Sequence, residues 1–81
     1  MTKAERDAIV SRMVRLAAQI AFNGDQKNAT KNKDEQAFWQ ARIDEKKEDF
    51  MVFIRQLFPA YTGTVEQFVA HNAKLLAQGI N

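Results

Sequence analysis

The chain has 81 residues, enough for one domain, and its 12 Lys+Arg against 10 Asp+Glu leave a net charge of only +2. An apolar share of 46% argues against disorder, and the lack of cysteine excludes disulfides and thiolate metal sites. His71 is the only histidine, which excludes any site that needs two.

Three helices are predicted in chain order. The first spans about 3–23. Thr2 and Glu5 fit a capping box, and Ile9, Met13, Leu16, Ala17 and Ile20 recur at helical spacing. Arg12, Arg15 and Gln19 fall on the opposite face, with Phe22 at its edge. Asn23-Gly24 reads as the stop, because glycine accepts the left-handed backbone that often ends a helix. Residues 24–33 hold no large apolar side chain and read as a polar loop or a frayed helix start.

The second helix is predicted over about 32–58, with Asn32 and Glu35 as a capping pair, Thr30 as a competing cap and Pro59 as its stop. Trp39, Ile43, Phe50, Phe53, Ile54, Leu57 and Phe58 share one face. The run Asp44-Glu45-Lys46-Lys47-Glu48-Asp49 interrupts this stripe with charge, but it contains no Gly, Pro or Asn. A continuous helix is therefore expected, with the long lysine stems covering apolar neighbours. The third helix is predicted over about 65–78, capped by Thr64 with Gln67, with Gly79 as its stop and Ile80 folding back onto it. Asn72 stands inside its apolar stripe and needs a partner, which a backbone carbonyl or Tyr61 would supply. Set in a helical interface, the same residue would fix register.

The expected fold is thus an all-α, three-helix single domain with a long central helix. At about 1.5 Å per residue the three helices measure about 32, 40 and 21 Å, so the second outruns its companions. Phe38 lies well off the Trp39 stripe, and Val52 lies on the same side farther along. One neighbouring helix cannot bury both rings, and aromatic surface left in water is unusual for a monomer. These features predict a helical homo-oligomer, a homodimer in the simplest case, or a dedicated protein partner. Phe38, Trp39, Arg42 and Ile43 form the expected partner-binding patch.

No catalytic constellation is visible, and the chain is expected to be non-catalytic, without cofactor or metal. Ser11 is the only serine, and no glycine-rich phosphate loop occurs. Asp44, Glu45, Glu48 and Asp49 read as a solvated charged face, since no Glu-x-x-His pattern accompanies them. With no apolar leader and no run near the ~20 residues that cross a bilayer, the expected compartment is the cytoplasm and no membrane partner is expected.

The expected function is that of a small accessory, regulatory or inhibitory protein that acts by binding another protein. Nucleic-acid binding is the alternative. Residues 1–33 carry seven Lys/Arg against three acids, and Arg12, Arg15, Lys27, Lys31 and Lys33 would contact phosphates. Against it, residues 34–58 carry six acids against four bases and would repel a polyanion.

Overall fold

Capping residues divide the chain where side-chain oxygens meet unpaired backbone N–H groups. In the computed structural model, which describes residues 1–78, Thr2 Oγ1 accepts from the Glu5 N–H (3.1 Å) and opens α1, Lys3–Ala29. Asn32 Oδ1 accepts from the N–H groups of Asp34 (2.8 Å) and Glu35 (3.2 Å) and opens α2, Lys33–Leu57. Thr64 and Gln67 form a complete capping box at the start of α3, Val65–His71. A last short helix, α4, covers Ala73–Gln78. The fold is all-α, with no strand among the described residues.

The first helix is longer than its sequence suggests. It runs through Asn23-Gly24 to Ala29, and no glycine among the described residues has positive φ. The extension is held by α2. Asn23 is 4% exposed, Lys27 Nζ donates to Gln40 Oε1 (2.6 Å), and Gln36 Nε2 donates to the Thr30 carbonyl (2.9 Å). Contacts across the hairpin thus outweigh the roughly 1 kcal/mol that a mid-helix glycine costs. With 27 residues in α1 and 25 in α2, the two helices are nearly equal in length. The expected length mismatch between them therefore does not exist.

The charged run of α2 is continuous helix, as its residue types imply. Lys47 pairs with Glu66 of α3, which accounts for a lysine standing in the apolar stripe. α2 ends at Leu57, just before Pro59. The third predicted helix is divided at Asn72, whose φ of −121° and ψ of 30° leave helical geometry. Its side-chain Nδ2 donates to the Phe68 carbonyl (3.0 Å), and the carbonyl of Asn72 accepts from the Leu76 N–H (3.1 Å). The Asn72 backbone N–H donates to the same Phe68 carbonyl (2.9 Å), so backbone and side chain together close the end of α3. The expected stop at Gly79 and the return of Ile80 lie outside the described residues.

α1 and α2 form an antiparallel hairpin joined at residues 30–32, and it sets the long axis of a 45 × 27 × 19 Å molecule. α3 leans on α2 and α4 on α1, at the end away from the hairpin turn. The core lies there. Met13, Phe50 and Ile54 are fully buried against Phe68, with Val65 and Leu76 beside them. Phe68 meets Phe50, Phe58 and Tyr61 at centroid distances of 6.1, 5.8 and 5.5 Å, and Tyr61 Oη donates to the Thr64 carbonyl (2.7 Å).

Two outcomes follow for stability. Gly24 is helical and a methyl group there would meet open space, so Gly24→Ala is expected to raise stability by about 0.5–1 kcal/mol in urea unfolding. The Lys47 ammonium, and then the backbone N–H of Glu66, hold the Glu66 carboxyl below its ordinary value. A depressed carboxyl stabilises the fold above its unfolded pKa and loses that contribution as pH falls through its folded pKa. Wild type should therefore exceed Glu66→Gln in urea midpoint near neutrality, and the gap should close below about pH 4.

Candidate functional site

The half of the hairpin nearest its turn has neither α3 nor α4 over it. There the apolar side chains that helical spacing places off the core stripe remain in solvent: Phe22 is 57% exposed and Phe38 55%, and Val52, on the same side of α2 but at the core end, is 55% exposed. Trp39 joins the two phenylalanines. It is half-buried, with the Phe22 ring edge-on at 6.3 Å and the Phe38 ring edge-on at 5.1 Å. One turn on from Phe38, the Arg42 guanidinium lies 5.6 Å from its ring centroid, within cation–π range.

Two concavities, of about 330 and 300 Å³, open between α1 and α2, the first beside Val52 and the second beside these rings. The first is lined by Arg12, Arg15, Leu16, Gln19, Asp49, Val52 and Phe53. The second is lined by Gln19, Phe22, Asn23, Phe38, Trp39, Arg42 and Lys46. Gln19 belongs to both, so they form one groove along the hairpin, and no residue of α3 or α4 lines it. Helical spacing makes this arrangement. Arg12, Arg15, Gln19 and Phe22 recur every three or four residues on α1, as do Phe38, Arg42, Lys46, Asp49 and Val52 along α2.

Of the four residues expected to bind a partner, Phe38, Trp39 and Arg42 stand together on this open face. Ile43 does not join them: it is 7% exposed and continues the inward stripe one turn after Trp39. Sequence reasoning placed Phe22 at a helix edge but missed its role in the cluster. Its position opposite Trp39 depends on α1 running straight through the glycine. Asn23 was read as a stop and is instead buried beneath the cluster.

The five basic residues of the alternative reading are not gathered in one patch. Arg12 and Arg15 line the groove. Lys27, twelve residues and about 18 Å farther along α1, is half-buried and donates to Gln40, which in turn donates to Asp44 (2.8 Å). Lys31 and Lys33 are exposed at the hairpin turn. Among the described residues no three His, Asp or Glu side chains are placed to hold a metal ion, and no helix is long and apolar enough to cross a membrane.

The contrast between the two ends of the hairpin is open to measurement. Phe50→Ala should cost about 3–5 kcal/mol in urea unfolding, because it empties a fully buried site. Phe22→Ala and Phe38→Ala should each cost at most about 1.5 kcal/mol, the value of an edge-to-face aromatic contact. No family model matches the sequence, and neither a curated protein nor a solved structure matches it.

Proposed function

We propose that the chain is a non-catalytic helical interaction module, an accessory or regulatory protein of the cytoplasm that binds a protein partner through the Phe22–Phe38–Trp39–Arg42 cluster. One observation carries this reading: two phenylalanines more than half exposed pack on one tryptophan, on a face that the other described residues leave open. Aromatic residues and arginine around a concave centre are the types that dominate binding energy in protein interfaces. Their retention in water has no benefit for folding, since each ring keeps apolar area unburied at about 25 cal/mol per Å².

The occupant is a second copy or a different protein. The nearly equal lengths of α1 and α2 remove one of the two grounds for a homodimer, and the exposed cluster supports either occupant. Nucleic-acid binding has less support, because the basic residues are dispersed and Lys27 is engaged within the hairpin.

The test compares wild type with Phe22→Ala/Phe38→Ala. Sedimentation reads self-association, and affinity capture from the native host reads other partners. The double variant should keep its helical circular dichroism and lose the dimer or the captured protein. Unchanged association would overturn the reading. So would tight binding of a duplex oligonucleotide with a steep salt slope that Arg12→Glu/Arg15→Glu abolishes.

A further inference from the structure

We propose that the occupant of the groove between α1 and α2 is an acidic amphipathic helix from a different protein. This rests on the interaction-module reading above and adds to it the chemistry of the partner. Length is the first ground. From Phe38 to Phe53 the groove wall on α2 spans about 22 Å, which matches about four turns of a docked helix. Its apolar stripe would meet Phe22 and Phe38 at one end and Val52 at the other, all three more than half exposed.

Charge is the second ground, and it selects among occupants. Arg12 and Arg15 on one wall and Arg42 and Lys46 on the other meet one carboxylate within the groove, Asp49, with Glu45 on its rim by helical position. This local excess of cations stands in a chain whose overall charge is only +2. Three of the four are arginines, whose planar guanidinium groups pair with carboxylates in bidentate fashion. A helix with Asp or Glu flanking its apolar stripe complements both walls. A second copy of this chain does not, because groove facing groove would set arginines against arginines.

The test uses displayed libraries of helices about 18 residues long, with leucine fixed along one stripe and Glu, Gln or Lys allowed at the flanking positions. Selection on the folded protein should enrich Glu beside the stripe. A peptide so selected should bind wild type at least about tenfold tighter than Arg12→Glu/Arg42→Glu. A version with Lys in place of Glu should prefer the charge-reversed protein, a rescue that general loss of folding cannot produce. A scrambled peptide of equal charge without the apolar stripe should bind weakly. Failure to enrich any helix overturns the proposal, as do enriched sequences that are neutral or basic. A groove-to-groove homodimer, or a duplex oligonucleotide bound more tightly than the peptide and lost in the same variant, also overturns it. Neutral helices that still require Phe22 and Phe38 would leave the interaction-module reading standing while removing the acidic partner.

Discussion

Two helices of 27 and 25 residues need more cover than two helices of 7 and 6 residues can provide. The rest of the molecule follows from this inequality. Where α3 and α4 lie, the hairpin closes into a dry core around Met13, Phe50, Ile54 and Phe68. Beyond their reach the hairpin is a two-helix structure, and two helices can bury only the facing stripes of one another. Phe22 and Phe38 stand outside those stripes and stay in solvent, steadied by Trp39.

The two ends are stabilised by different means. At the core end, burial dominates and aromatic rings enclose Phe68, with the Lys47–Glu66 pair tying α3 to α2 at the solvent boundary. Such an exposed pair is a small contribution, since water screens it and side-chain entropy opposes it. At the turn end, polar bonds replace burial: Lys27 to Gln40, Gln40 to Asp44, and Gln36 to the Thr30 carbonyl. A hairpin held by hydrogen bonds rather than a covering layer keeps its open face free. The two unbroken helices hold the groove residues in fixed register.

Much of this was legible in the residues. Thr2, Asn32 and Thr64 each cap a helix as their positions imply, and Pro59 follows the end of α2. Continuity of α2 through Lys46-Lys47 followed from the absence of any residue that breaks helices. Exposure of Phe38 followed from its angular distance from the core stripe. Two boundaries were misread, one for a tertiary and one for a local reason. Asn23-Gly24 has the local preference of a helix end, yet burial of Asn23 and the bonds of Lys27 and Gln36 to their partners across the hairpin carry α1 onward. Asn72 has a place in the apolar stripe, yet its backbone leaves helical geometry there, with its N–H and its side-chain amide both donating to the Phe68 carbonyl.

The chain by itself therefore determined the all-α class, the caps, the central stripe and the outlying aromatic ring, because each depends on spacing within a few turns of one helix. Only the tertiary structure decided that the two long helices match in length, that Phe22 meets Trp39, and that Arg12, Arg15, Arg42 and Lys46 share one groove. Those facts depend on the register between helices, which is set by side-chain packing and hydrogen bonds between residues distant in sequence.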